Sequence, residues 1–296
     1  MPILPRATWH ALAAAHNARV AQMADATLAR RATGKKHAVE DFLFSYYNFP
    51  PGKLKQWLPP LGTNLEITDA DLFDHPFLLR TADTVTLDPA LLPEKTRQLA
   101  SWVATLCRNI LDRPPRFRCF GLHEWAMVYR QTPEQIRHQG HALRLTPDQL
   151  ATFVDSQALC CTHYDAYRFF TPPASPLNAF QPTLETRLEM EQGACLHANM
   201  DLYKWASKLW PWIGSTLVGQ TFALAVEGRI LDMRASPYDL AHLGYDPIPI
   251  ETPEGRQTYE QAQRALAEKA LPIRTALAQA ADSLSGSEPR LQPQTS

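Results

Sequence analysis

The stretch THYDAYRFFTP, residues 162–172, places a histidine, an aspartate, an arginine and four aromatic rings within eleven positions, directly after Cys160 and Cys161. An unpaired buried charge is costly, so such a segment is either a structural ion pair under an aromatic cluster or part of a ligand pocket. Helical spacing groups His163 with Tyr167, Tyr164 with Arg168 and Asp165 with Phe169. Arginine over an aromatic ring beside a carboxylate is a platform for a flat polar ligand such as a nucleobase. The proline-rich loop TPPASPLNAFQPT then supplies Asn178 and Gln181, amides able to read polar edges.

Three other segments carry chemistry. In CFGLHEWAMVYR (119–130) nearly every position is apolar, which predicts burial of His123 and Glu124. Burial raises a carboxyl pKa and lowers a histidine pKa, the usual preparation of general acids and bases, and it equally describes core groups satisfied by backbone or by Arg130. In CLHANMDLYKWASKLWPW (195–212), His197, Asp201, Lys204 and Lys208 share one helical face, while Leu202, Trp205, Leu209 and Trp212 make an apolar one. A histidine and carboxylate four apart can bind a metal, orient each other for acid–base work, or form an ordinary solvated pair. In RRATGKKHAVEDFLFSYYNF, basic residues beside Phe44, Tyr46 and Tyr47 either meet a phosphate backbone with stacked bases or form a solvated turn ahead of a core helix. Asp232, Arg234 and Asp239 of LDMRASPYDL read as loop-pinning residues.

These segments must be positioned by helices. Apolar residues recur at helical spacing over about 8–32, 36–48, 94–112, 120–131, 147–157, 196–210, 215–233 and 253–282. TPEQ (from Thr132) and TPDQ (from Thr146) each offer a threonine N-cap, proline at the first helical position and glutamine at the third. SPYD (from Ser236) and TPEG (from Thr252) predict further helix starts. DTVTLD (83–88) is the best strand pattern and does not by itself imply a sheet. The expectation is a mainly α, multi-helix bundle forming a single domain over 1–282, with 49–93 as an irregular excursion and 283–296 as a disordered tail.

The 296 residues carry a formal net charge of −1, so a nucleic-acid partner would need a local basic patch. No run of about 18 apolar residues suggests a membrane span, and the N-terminus lacks a signal-peptide pattern, which points to a cytoplasmic protein without membrane contact. The five cysteines, two of them adjacent, suit reduced thiols and show no structural zinc spacing. GxGxxG after a strand, the P-loop, GxSxG and HExxH are absent, which weakens dinucleotide, NTPase, serine-hydrolase and zincin readings. Dinuclear metal hydrolysis stays open through His37, His123, His163, His197, Asp165 and Asp201; no cofactor is assigned, and the oligomeric state is open.

Taken together, KHAVEDFLFSYY, CFGLHEWAMVYRQ, HYDAYRFFTP, LHANMDLYKWA, LDMRASPYDL and PIPIETPEG resemble a bacterial family, common in actinobacteria, labelled 3-methyladenine DNA glycosylase, over about residues 8–270. The chain departs from the helix-hairpin-helix glycosylases, whose LPGxG-type hairpin is approached only by LPPLG at 58–62. The resemblance implies hydrolysis of an N-glycosidic bond to a modified or alkylated purine in DNA, RNA or a free nucleoside. It would cast Asp201 or Asp165 as the charge-stabilising or water-activating carboxylate, with His123 and His197 orienting water or the leaving base and Glu124 and His163 in the same catalytic group. Tyr164, Trp125 and Trp205 would stack on the base, and Arg168, Lys204 and Asn178 would hold phosphate or a polar base edge. The rival expectations are a metal-dependent hydrolase using these histidines and aspartates, and a non-catalytic helical nucleotide-binding protein.

Overall fold

The computed structural model describes residues 3–71, 73, 75–136 and 140–286. In chain order they form β1 (Ile3–Leu4), α1 (Arg6–Ala32), α2 (Phe42–Tyr46), α3 (Pro51–Leu54), β2 (Asn64–Glu66), β3 (Leu78–Arg80), β4 (Thr84–Leu87), α4 (Glu94–Asp112), α5 (Leu122–Ala126), α6 (Pro147–Asp155), α7 (Tyr164–Tyr167), α8 (Arg187–Met190), α9 (Leu196–Leu209), α10 (Ser215–Ala235) and α11 (Pro253–Ser285). With 56% helix the protein is mainly α. No helix among the described residues is long and apolar enough to cross a membrane.

The long periodic stretches became long helices; the short ones did not. Of the 36–48 pattern only α2 is helical, because Asp41 accepts from the His37 backbone N–H (2.8 Å) and holds a turn before it. The 120–131 pattern yields five helical residues, followed by turns that end at Arg130, a non-glycine residue with φ 53°. TPDQ caps α6 as predicted, with the Thr146 hydroxyl accepting from Gln149 N–H (3.3 Å) and Gln149 Oε1 accepting from Thr146 N–H (3.1 Å). TPEQ closes the same box on a single 3-10 turn, Pro133–Gln135. SPYD starts no helix: the Ser236 hydroxyl donates to Met233 O (2.7 Å) and so finishes α10 instead. Residues 283–285, expected in a disordered tail, continue α11; residues 287–296, also part of that expectation, lie outside the described set.

Where the sequence suggests one domain, the described residues group into two compact units, each built from separated stretches. The first comprises Met1–Arg108, Asp201–Ala225 and Pro272–Ser296, the second Asn109–Met200 and Val226–Leu271. All the boundaries fall inside α4, α9, α10 and α11, where no linker composition can appear.

The first unit contains the sheet. The 49–93 stretch is not merely irregular: β2, β4 and β3 come from it and join β1 in the order β1-β2-β4-β3. Strand β1 runs parallel to β2, and β4 pairs antiparallel with both β2 and β3, so DTVTLD does build a sheet. Its apolar side chains Leu65, Ile67 and Val85 pack with Trp9 of α1 into one core cluster. Trp9 also donates its indole N–H to Glu66 O (2.7 Å), tying helix to strand. Three-residue strands fold only on such a surface, and their alternation is too brief to read in advance. In the basic segment, Arg30 pairs with Glu40 (2.7 Å) and Asp41 (2.6 Å), while Leu43, Phe44 and Tyr47 are buried: a paired turn ahead of core residues.

In the second unit, α5 is buried along its whole length. It starts at Gly121, whose φ of +74° and whose approach to the Ala235 side chain, 3.2 Å from where a Cβ would sit, both favour glycine. Trp125 donates its indole N–H to Ala235 O (2.9 Å), fastening the other end of this short helix to the end of α10.

Candidate functional site

That docking of α5 against the end of α10 brings His123 to Asp232. Nε2 of His123 lies 2.7 Å from Asp232 Oδ1, with both side chains buried. His197, near the start of α9, sets its ring edge-on to His123 with centroids 4.4 Å apart. The donor atoms of His123, His197 and Asp232 all lie within 4.8 Å of one another. Around a small divalent ion with donors at about 2.0–2.2 Å, tetrahedral neighbours stand about 3.3 Å apart, so the 2.7 Å contact of His123 with Asp232 would have to open to admit one.

Charge in the cluster is strongly coupled. Burial alone would push the His123 imidazole down, but the Asp232 carboxylate outweighs it and holds His123 above its ordinary range. Burial likewise pushes Asp232 up, and the cations around it, His123 first, reverse this and hold it well below the usual carboxylate range. Glu124 is pushed up to about 7, first by burial and then by the neighbouring Asp232 charge. Arg229 reaches both carboxylates, with Nη1 3.2 Å from Asp232 and 3.7 Å from Glu124. Two acids in one environment are thus driven apart, one ionised and one poised near neutrality.

A cavity of about 1070 Å³ lies against His123 and His197, and all its lining residues belong to the second unit. Phe117, Phe120 and Phe180 supply aromatic walls, and Arg116, Arg118 and Arg264 supply positive charge. Four of the five free thiols, Cys119, Cys160, Cys161 and Cys195, also line it. Burial raises all four, Cys161 to about 12, so they stand as neutral thiols. Cys119 Sγ is 3.6 Å from Nδ1 of His123, on the ring edge opposite the Asp232 contact.

Buried amides hold the walls in place. Asn178 accepts from Cys161 N–H (2.7 Å) and donates to Cys161 O (2.8 Å) and Phe180 O (2.6 Å), so it positions the cavity lining instead of reading a base edge. Gln263 donates to Ala194 O (2.7 Å) beside Cys195, and Gln181 is engaged with Tyr167 and with Asn178 O (3.4 Å).

The opening segment THYDAYRFFTP divides. His163 is fully buried, 3.5 Å from Glu191 Oε1, with its ring centroid 5.4 Å from that of His197. Asp165 pairs with buried Arg187 (2.7 Å) and with Arg168 (3.5 Å), and Tyr164 lies under the Arg187 guanidinium at 5.9 Å. This is the structural ion pair under aromatic rings, and none of these side chains lines the cavity. Trp125 is wholly buried, between Phe153 and the Arg144 guanidinium, and is likewise absent from the lining. Asp201, Lys204 and Trp205 belong to the first unit: Asp201 accepts from Tyr47 (3.1 Å) and pairs with Lys204 (3.3 Å), whose ammonium sits 4.7 Å from the Trp205 ring centroid.

Sequence reading missed Asp232, treated as a loop pin, and gave no site role to Arg116, Phe117, Arg118 or the thiols. The available signal was Arg229 and Asp232, three apart within the apolar run of α10, since charges inside an apolar helix must be partnered. No family model matches this chain, and neither a curated protein nor a solved structure matches it.

Proposed function

We propose that this protein is a metal-dependent hydrolase acting on a flat ligand seated in the aromatic cavity, with His123, His197 and Asp232 as the metal-holding residues. The observation that carries the reading is the convergence, within 4.8 Å, of two imidazoles that line a cavity sized for one small molecule with the buried carboxylate of Asp232. Two nitrogen donors and one oxygen suit a borderline divalent ion such as zinc, manganese or iron, and three protein donors leave positions open for water. A metal held there would supply a water activated as a nucleophile near neutral pH for attack on a ligand seated in the cavity. Arg229 and Glu124 surround Asp232 and fix its orientation, as outer partners of a metal ligand do.

The test is elemental analysis of purified protein together with hydrolysis assays in chelator and in added zinc or manganese. One equivalent of metal, lost in His197→Ala and Asp232→Asn together with turnover, is the expected result. Folded protein that binds no metal and turns over no differently in chelator would overturn the reading.

A second proposal, release of an alkylated purine, is favoured by the three phenylalanine rings of the cavity, which suit an extruded base. Mass spectrometry for 3-methyladenine released from alkylated duplex DNA tests it. Chelator-resistant release would place base excision ahead of metal hydrolysis, and tight ligand binding without turnover would favour the binding-protein alternative over both.

A further inference from the structure

We propose that the ligand of this cavity is a small aromatic molecule bearing one anionic group, a phosphate or carboxylate, which Arg116 and Arg118 bind while its ring lies between phenylalanines. The inference deepens the reading of the cavity as a substrate site and rests on it.

Six consecutive residues, Pro115 to Phe120, line the cavity, two of them arginines and two phenylalanines. The segment is held at defined points. Buried Gln192 clamps the Arg116 backbone, its Oε1 accepting from Arg116 N–H (3.0 Å) and its amide donating to Arg116 O (3.5 Å). Just before it, Arg113 donates to Leu188 O (3.1 Å) and to Glu191 O. The aromatic walls are already stacked with cations: the Arg116 guanidinium lies 5.4 Å from the Phe180 centroid and that of Arg264 lies 4.0 Å from Phe117.

The arginines differ in what balances them. Arg264 has Glu260 at 2.6 Å, so its charge is matched within the protein. Among the described residues no carboxylate pairs with Arg116 or Arg118, although both side chains are exposed at the cavity. Their charge reaches its interior: the Cys160 thiol, raised by burial, is drawn back down by Arg118 and Arg116. Two guanidiniums beside flat apolar walls are complementary to an anion carried on a ring, because the planar fork binds two oxygens at once while the ring is removed from water. The cavity of about 1070 Å³ is of a size to take a small molecule.

Calorimetric titration of full-length protein with 2-naphthyl phosphate, 2-naphthoate and 2-naphthol, in chelator and again in added zinc, tests this without knowledge of the natural ligand. At least one anionic probe should bind tenfold or more tightly than naphthol, and the better of the two identifies phosphate or carboxylate. The double change Arg116→Gln with Arg118→Gln should erase the advantage, whereas Arg116→Lys with Arg118→Lys should keep part of it. Equal binding of naphthol, no binding of any probe, or an undiminished preference in a folded glutamine variant would overturn the inference. An anion preference in protein that holds no metal removes the metal reading and leaves this one standing; bound metal without the preference does the reverse.

Discussion

His123 Nε2 and Asp232 Oδ1 meet at 2.7 Å although 109 positions separate them in sequence. Both groups are buried, so each supplies what the other lost in leaving water. Asp232→Ala strands His123 without its carboxylate and takes from Arg229 the nearer of its two, and removing one partner of a buried pair costs about 3–5 kcal/mol. Asp232→Asn keeps a hydrogen-bonding group of the same size and should cost less than half of that. Urea unfolding of the two variants checks this; equal and small losses would show that the contact contributes little.

Two glycines of the second unit should respond differently to a single methyl group. At Gly255 a Cβ would sit 1.9 Å from the backbone carbonyl of Pro249, which cannot turn aside. At Gly228 it would meet Met200 Cγ at 2.6 Å, part of a flexible side chain. Gly255→Ala should therefore destabilise by about 3 kcal/mol or more, while Gly228→Ala, helped by alanine's helix propensity, should stay within about 1 kcal/mol of the parent. Thermal unfolding should rank them in that order.

His16 in α1 makes the first unit acid-sensitive. It is fully buried with its Nε2 2.8 Å from Leu54 O. Burial lowers its pKa, with the Leu54 carbonyl pulling the other way, so the folded protein keeps the imidazole neutral. The unfolded chain protonates the same ring near pH 6.5. Below that pH the unfolded state binds more protons, so stability is full above it and falls as pH drops, at up to about 1.4 kcal/mol per pH unit for one proton. His16→Gln should be less stable at neutral pH and should flatten the stability profile between about pH 6.5 and 5; urea midpoints across that range measure both effects.

Residues that act within a short stretch were legible in the chain itself. The apolar spacing of α1, α4, α9, α10 and α11, and the Thr146 capping box, are local patterns whose hydrogen bonds close within a few residues. Burial of His123 and Glu124 followed from an apolar stretch with no polar face to turn outward. Ambiguities between equally local readings were not resolved this way: Asp165 and Arg168 suited a ligand platform and an ion pair alike, and the partner that distinguishes them, Arg187, lies beyond the segment.

Sequence by itself determined a mainly helical chain, the places where its longer helices start, and the presence of buried histidine and carboxylate beside aromatic rings. Tertiary structure decided which of those groups meet. The pairing of β1 with β2, the contact of His123 with Asp232, and the assembly of four thiols, three phenylalanines and three arginines around one cavity all join distant stretches. Periodicity records which side of an element is buried and nothing about what it is buried against. The partner is chosen by packing across the whole chain, where the requirement that every buried charge be matched selects Asp232 for His123 and Arg187 for Asp165.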